Sequence, residues 1–112
     1  MDDETIELKD HRVEITKDFF DKCTYMVEGH QTTSVSIEDR DGKRVVDVDF
    51  DAPLFAVWSP EGKHAPFICI EPWYGRCDAD DFEGELKDRE YTNVLKSGDI
   101  FEAAYTIRYH EI

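Results

Sequence analysis

Two alternating runs on either side of Asp41-Gly42 constrain the fold of this chain more than any other part of its sequence. Apolar residues occupy every second position from 35 to 37 before the pair and from 46 to 50 after it. An Asp-Gly pair between two runs of period two is typical of a β-hairpin, whose tight turn needs a residue with positive φ. The sequence therefore predicts two antiparallel strands near its middle.

Further strands are predicted on both sides of this hairpin. They cover residues 23–27, 54–58, 67–71 and 99–110, and a short strand around Val13 and Ile15 fits the same alternation. In the last of these ranges the odd-numbered residues from 101 to 109 are apolar, so we expect one face of a long strand to be buried. Residues 76–90 are rich in Asp and Glu and predict a surface loop. Because no helical pattern is present, the expected fold class is all-β, mostly antiparallel.

Residues 67–75 join an apolar run to a carboxylate, a proline and two aromatic side chains. Because proline cannot donate to a sheet ladder, we expect the strand to end at Glu71 and Pro72 to begin a rigid turn. That position would leave Glu71 half buried, and burial raises the pKa of a carboxyl group. An ordinary strand that ends in a solvated glutamate fits the same pattern.

The composition of the chain limits its possible partners. The 112 residues are enough for one domain with its own core, and 27 acidic against 13 basic side chains give a net charge of −14. This charge repels nucleic acid and anionic membranes, so neither is an expected partner. No apolar run approaches the roughly 20 residues of a membrane-spanning helix, and the chain begins Met-Asp-Asp-Glu where a signal peptide is basic. We therefore expect a cytoplasmic protein.

The cysteines and histidines form no metal-binding pattern. Cys23, Cys69 and Cys77 are an odd number without a close pair, so we expect free thiols, with Cys69 as a buried filler of the core. The four histidines are scattered along the chain. The acidic residues between 78 and 85 do not follow the spacing of an EF-hand, which indicates a solvated loop. No metal site is predicted.

Three segments together resemble the C-terminal part of aldose 1-epimerases, and most closely the galactose-mutarotase-like branch of that family. They are residues 53–60 with their Trp-Ser pair, residues 66–75 with Cys-Ile-Glu-Pro-Trp-Tyr-Gly, and residues 95–99 before the last strand. The second segment is the specific one. The likeness covers nearly all of the chain, with some specificity from Phe19 onward and more loosely before it. Since members of the family are much longer, it implies that residues 1–112 are a single C-terminal segment of a galactose-mutarotase-like β-supersandwich.

The resemblance also implies an activity, that of an isomerase of carbohydrate metabolism which interconverts the α and β anomers of a hexose. Mutarotation needs a base for the hydroxyl at C1, an acid for the ring oxygen and a cradle for the sugar, and no cofactor. Glu71 matches the position of the family's base. Trp73 and Tyr74 are candidates for stacking on the sugar, although core packing fits them as well. Arg76 is a candidate for binding sugar hydroxyls, and a surface ion pair with the region of Asp80 is its alternative.

The general acid of the family is a histidine, and no segment of this chain matches the motifs that carry it. His30 and His64 lie in predicted turns, where a solvated histidine is expected. We therefore expect an incomplete site, with little or no mutarotase activity from these 112 residues alone. The alternative function is a non-catalytic carbohydrate-binding or interaction module of the same fold. A glycosidase would need a second carboxylate at a defined distance from Glu71, and the sequence fixes none. Exposed sheet edges in an incomplete domain favour self-association.

Overall fold

The computed structural model describes residues 5–22 and 24–111. Its strands are β1 (Tyr25–Val27), β2 (Ser34–Glu38), β3 (Arg44–Phe50), β4 (Leu54–Trp58), β5 (Cys69–Trp73) and β6 (Tyr105–Tyr109). A single 3₁₀ turn, Leu86–Asp88, interrupts the long segment between β5 and β6. Because the described residues contain no α-helix, the predicted all-β class is confirmed. The described residues contain no helix that is long and apolar enough to cross a membrane.

The strands form two three-stranded sheets, with the orders β1-β4-β5 and β2-β3-β6. Every neighbouring pair is antiparallel, as the sequence predicts. In each sheet the central strand, β4 or β3, pairs with a partner on both sides. The remaining four strands each leave one edge without a partner within the described structure.

The predicted hairpin is present as β2 and β3. Val35 lies opposite Val48, and the pairing is closed by a hydrogen bond of 2.9 Å from the N–H of Asp39 to the carbonyl of Lys43. Gly42 has a φ of 79°, which is the positive angle that the Asp-Gly pair predicts. The loop between Asp39 and Lys43 has three residues. In hairpin loops of this length, a residue with a left-handed backbone conformation follows a turn, and glycine adopts that conformation most readily.

The core lies between the two sheets, as in a β-sandwich. Val48, Phe50, Ala52 and Phe55 form its buried cluster. The rings of Phe50 on β3 and Phe55 on β4 have centroids 5.3 Å apart, so one aromatic contact joins the two central strands. Partly buried residues complete the packing, namely Val27, Val35, Val57, Ile70 and Tyr74.

The predicted limits of the fifth strand are wrong. The sequence places it at residues 67–71, ending before Pro72, whereas β5 runs from Cys69 to Trp73 and Pro72 lies within it, opposite Phe55. The reason is that β5 is an outer strand of its sheet. A proline nitrogen can face the open edge of a sheet, where no ladder hydrogen bond is lost. The half-buried position expected for Glu71 is present, in the middle of the strand and not at its end.

The last strand is shorter and more exposed than the sequence predicts. The pattern predicts a half-buried strand over residues 99–110, but β6 covers only Tyr105–Tyr109 and all its residues are exposed. The alternation itself is confirmed, since Ile107 lies opposite Val48 of β3. Phe101 leaves the line of the strand, and its ring packs edge-to-face on Tyr74 at 5.6 Å.

The N-terminal prediction is only partly correct. Around Val13 and Ile15 no strand forms, and the described residues before β1 contain only an isolated bridge between Lys9 and Arg12. Cys23, which the pattern includes in the second strand, lies outside the described residues, and β1 begins at Tyr25.

The chain is also less compact than its length suggests. Its radius of gyration is 16.3 Å, against about 13 Å expected for a compact domain of this size.

Candidate functional site

Glu71 and Trp73 lie side by side on one face of β5, because residues two apart in a strand point the same way. Glu71 is opposite Ala56 and Trp73 is opposite Leu54 in the neighbouring strand β4. Both β4 residues are completely buried, whereas Glu71 and Trp73 are half buried. This face of β5 therefore presents a carboxylate and an indole next to the buried apolar side chains of Leu54 and Ala56 in β4.

The carboxylate of Glu71 makes no hydrogen bond or ion pair with any other residue in the described ranges. A carboxylate is an acceptor with two oxygens, so the side chain keeps its full capacity for an external donor. The strand around it is held by its register with β4 and does not depend on the carboxylate. Glu71 is thus a half-buried acid that the fold positions without using its chemistry.

Tyr74 points away from this face. It packs against the core cluster between the sheets, and its ring meets Phe101 edge-to-face. Its carbonyl accepts a hydrogen bond of 2.5 Å from Nδ2 of Asn93. The structure does not bring Tyr74 onto the side of Glu71 and Trp73, and core packing accounts for the contacts of its ring.

Arg76 lies at the same end of the sheet as Trp73 but is engaged with another residue. Its guanidinium forms an ion pair with Glu28, which directly follows β1. The same end is reinforced by Tyr91, whose hydroxyl accepts a hydrogen bond of 3.0 Å from the N–H of Gly29. These contacts attach the segment after β5 to the end of β1, so they order the backbone next to Trp73.

The two histidines considered as acids lie in different places. The N–H of His30 donates to the carbonyl of Pro53 at 2.7 Å, which sets its backbone next to the start of β4, where Leu54 faces Trp73. Its ring lies 3.0 Å from a carboxylate oxygen of Asp51. His64 belongs to the loop between β4 and β5, at the opposite end of that sheet.

The structure places His64 beside two carboxylates, a grouping that the sequence did not predict. Its Nδ1 lies 3.1 Å from the carbonyl oxygen of Lys17, and the ligand atoms of His64, Asp18 and Asp21 all lie within 4.8 Å of one another. All three side chains are exposed. His64 and Asp21 line a cleft of about 440 Å³ whose walls include Phe20 and Phe67. Neither Glu71 nor Trp73 lines this cleft.

The largest polar network of the described residues lies on the other sheet, and the sequence did not single it out. Asp47 of β3 is only 2% exposed, yet it accepts hydrogen bonds from Oγ of Ser36 at 2.6 Å and from Nε2 of His110 at 2.8 Å. These two hydrogen bonds lower the pKa of Asp47 to about 2. Arg108 contributes a further ion-pair contact at 3.5 Å.

A second carboxylate on the same face is satisfied in the same way. Asp49 receives two N–H groups of Arg108 and the hydroxyl of Ser34, the latter at 2.8 Å. The hydrogen bonds from Arg108 and then from Ser34 hold the pKa of Asp49 below its ordinary value. The sequence contains a pattern that indicates this polar network, because Ser and Asp alternate with apolar residues in β2 and β3. Because its donors and acceptors bind one another, this network joins three strands and leaves little capacity for a ligand.

Comparison with known proteins identifies no protein that is similar to this chain. No protein-family model matches the chain, and neither a curated protein nor a solved structure is significantly similar to it. The function is therefore inferred from the residues and their arrangement alone.

Proposed function

We propose that this chain carries the carbohydrate-binding face of an aldose 1-epimerase-like β-sandwich, with Glu71 as the general base of a mutarotase. One observation supports this best: Glu71 is half buried, makes no hydrogen bond or ion pair through its carboxylate within the described ranges, and shares its face of β5 with Trp73. A base needs an available acceptor, and a hexose needs an aromatic surface beside it. The face of β5 combines the two.

In this proposal Glu71 removes the proton from the hydroxyl at C1 of a hexose. The bond between C1 and the ring oxygen breaks, the ring oxygen takes a proton from a general acid, and an open-chain aldehyde results. Rotation about the bond next to the aldehyde and closure on its other face return the sugar as the opposite anomer. Protons are exchanged but no electrons are transferred, so the reaction needs no cofactor.

Trp73 supplies the stacking surface in this scheme, and Arg76 has a more indirect role. A sugar over Trp73 buries its apolar face against the indole while its C1 approaches Glu71 on the same side of the strand. Arg76, held by Glu28, fixes the segment after β5, and its guanidinium retains N–H groups that can donate to sugar hydroxyls. His30 is the better candidate for the acid, because its backbone lies at the Trp73 end of the sheet and that of His64 does not.

The alternative is a non-catalytic carbohydrate-binding or interaction module of the same fold. Two contacts favour it: the ring of His30 is hydrogen-bonded to Asp51, and Tyr74 is engaged in core packing. A face with an acceptor and an indole but no proton donor would still bind a sugar. It would lack the factor of about 10²–10⁴ that a general acid typically contributes.

The rate of anomer exchange separates the two functions. If His30 supplies the missing acid, the chain accelerates α-to-β exchange of glucose or galactose, measured by NMR, and Glu71→Gln abolishes most of the acceleration while the fold is kept. Glu61→Gln, in an exposed turn, is the matched control and should leave the rate unchanged. Sugar binding that Trp73→Ala removes, without any acceleration, would support the binding module. If the chain neither binds these sugars nor accelerates their anomer exchange, both proposed functions are overturned.

The proposal also includes a cytoplasmic location. Cys69 and Cys77 are free thiols, as predicted, and this is the usual state of cysteine in a reducing compartment. Cys69 is half buried, so it fills the core only in part. The net charge of −14 continues to argue against nucleic acid or an anionic membrane as a partner.

A further inference from the structure

The four outer strands of the two sheets are not equally protected against pairing with another chain. β1 has only three residues, β5 contains Pro72, and the pairing of β2 is irregular between Ile37 and Glu38. Short strands, prolines and bulges are the devices by which proteins block sheet edges. β6 has none of them: it has five residues, no proline and a regular register with β3.

The backbone of β6 directs half of its polar groups toward this open edge. The N–H of His110 donates to the carbonyl of Val45 at 3.0 Å, so the even-numbered residues of the strand point toward β3. The N–H and C=O groups of Tyr105, Ile107 and Tyr109 therefore point away from β3. These groups are what an added antiparallel strand would bind.

The side chains of the same three residues are exposed and apolar. Tyr105 is 60% exposed, Ile107 44% and Tyr109 82%. They stand on the face of the sheet that elsewhere packs against the core, where Val48 and Phe50 are buried. The apolar face of this sheet thus continues past the area that the rest of the described chain covers, and it ends at the open edge.

The charge of this segment selects the kind of strand that can pair with it. The chain has 27 acidic residues, yet residues 103–110 contain none, and Arg108 is neutralised by Asp49. A second copy of the same segment brings no carboxylate against it. Residues 103–110 of two copies can therefore meet without bringing carboxylates together, even though each chain has a net charge of −14.

We infer that β6 pairs antiparallel with β6 of a second copy of this chain, with Ile107 on the two-fold axis. The two sheets then form one continuous sheet in the order β2-β3-β6-β6-β3-β2. Because the odd-numbered residues face the edge in both copies, the pairing provides about six backbone hydrogen bonds. The interface is isologous and closes on itself, so it produces a dimer and not a fibre.

The register follows from the side chains. Centred on Ile107, the pairing sets Tyr105 of each copy opposite Tyr109 of the other, and Thr106 opposite Arg108. Aromatic pairs across strands are stabilising, and no like charges lie directly opposite. Centring on Tyr109 would place Ile107 opposite Glu111. Centring on Tyr105 would place Ile107 opposite Ala103 and Tyr109 opposite Phe101, and both of these partners lie outside the regular strand. The backbone also permits an even-numbered centre, but a centre at Arg108 would place two guanidinium groups directly opposite each other, and a centre at Thr106 would leave Tyr109 opposite Ala103, outside the regular strand.

The dimer is expected to be weak and to respond to salt in a characteristic way. Pairing two short edges buries less surface than a standard protein interface, so association should depend on concentration. Two chains of like net charge repel each other, and salt screens that repulsion beyond a Debye length of about 8 Å. Added NaCl should therefore strengthen the dimer, whereas it would weaken binding of a basic partner.

Sedimentation of the chain over a concentration series up to about 1 mM tests the inference, since even a Kd in the millimolar range gives substantial dimer there. We expect a shift from monomer to dimer that Ile107→Pro removes. The N–H of Ile107 faces the open edge, so the proline costs no hydrogen bond to β3. Tyr109→Lys, a second variant that adds a charge at the edge, should also give a monomer.

Val94→Lys is the matched control, because it places the same new charge on an apolar side chain that is 69% exposed but lies outside every strand. It should keep the dimer. Circular dichroism establishes that each variant retains the fold. Any of three results would overturn the inference: a wild-type monomer at every concentration, a dimer that survives Ile107→Pro in a folded variant, or an equal loss of dimer in Val94→Lys. The first result would mean that the open edge of β6 is left for a strand of another protein.

A cross-link tests the register itself. In a hydrogen-bonded antiparallel pair the two Cα atoms are about 5.5 Å apart, which lies within the range of a disulfide. With the native cysteines replaced by serine, Ile107→Cys should form a covalent dimer on mild oxidation. Arg108→Cys, whose two copies lie diagonally and farther apart, should cross-link less. The reverse order would contradict a centre at Ile107.

Discussion

Oδ2 of Asp47 lies 2.8 Å from Nε2 of His110, so the middle of β3 is hydrogen-bonded to the residue that follows β6. Ser36 of β2 donates to the other oxygen of the same carboxylate. One buried side chain therefore connects all three strands of its sheet. Because its partners donate to the ionised form, the stabilisation depends on the charge of Asp47.

This arrangement predicts how stability depends on pH. The pKa of Asp47 is about 2 in the folded chain, below its ordinary value of 3.8. A carboxylate with a lowered pKa stabilises the folded state above its unfolded pKa, and the contribution is lost as the pH falls through the folded value. The melting temperature should therefore fall as the pH is lowered from about 4 to about 2. Asp47→Asn, which cannot titrate, should be less stable at neutral pH and show a smaller fall over this interval.

Melting curves followed by circular dichroism at several pH values provide the measurement. Glu38 and Asp49 also have lowered pKa values, so part of the acid sensitivity will persist in Asp47→Asn, and the difference between the two curves isolates Asp47. Asp41→Asn, in the exposed turn of the hairpin, should follow the wild-type curve. Identical slopes for Asp47→Asn and the wild type would mean that the network does not hold the carboxylate in its charged form.

The hairpin and β4 could be predicted from the sequence because their determinants are local. Period-two alternation and an Asp-Gly pair specify β2 and β3, and prolines and a glycine-containing turn bound Leu54–Trp58. The exposure of β6 could not be predicted in this way. Alternation shows that Tyr105 and Ile107 share a face, but only the tertiary structure shows whether another sheet covers it.

The core makes a second prediction, about Leu54. This side chain is 1% exposed and lies opposite Trp73, so Leu54→Ala removes buried methyl groups next to the candidate site. We expect a loss of about 2–5 kcal/mol in the free energy of unfolding, measured by denaturant titration. Leu95→Ala, at a position that is 52% exposed, is the control and should change it by less than about 0.5 kcal/mol. Similar losses for both variants would contradict the packing around β4.

The candidate site was only partly accessible to sequence reasoning. Glu71 and Trp73 share a face, which follows from their spacing once both belong to one strand. The contacts of Tyr74 and Arg76 could not be deduced, because Phe101, Asn93 and Glu28 are distant in the sequence and are brought together only by the pairing of the strands.

The ion pair between Arg76 and Glu28 makes the third prediction. Their side chains are 15% and 32% exposed, so water and salt screen this pair less than one on the open surface. A double-mutant cycle of Arg76→Met and Glu28→Gln should give a coupling energy of about 0.5–3 kcal/mol in the free energy of unfolding. The same cycle on Lys87 and Glu85, which are 67% and 76% exposed, is the control and should give at most about 1 kcal/mol.

Sugar binding by the same variants assigns the role of Arg76. If the guanidinium only fixes the segment after β5, Arg76→Met and Glu28→Gln should weaken binding equally, because either change releases that segment from the end of β1. If it also donates to the sugar, Arg76→Met should weaken binding more than Glu28→Gln, since only the first change removes the donors. A coupling energy no larger than that of the control pair would show that the contact does not order this end of the sheet, and the positioning role would then be abandoned.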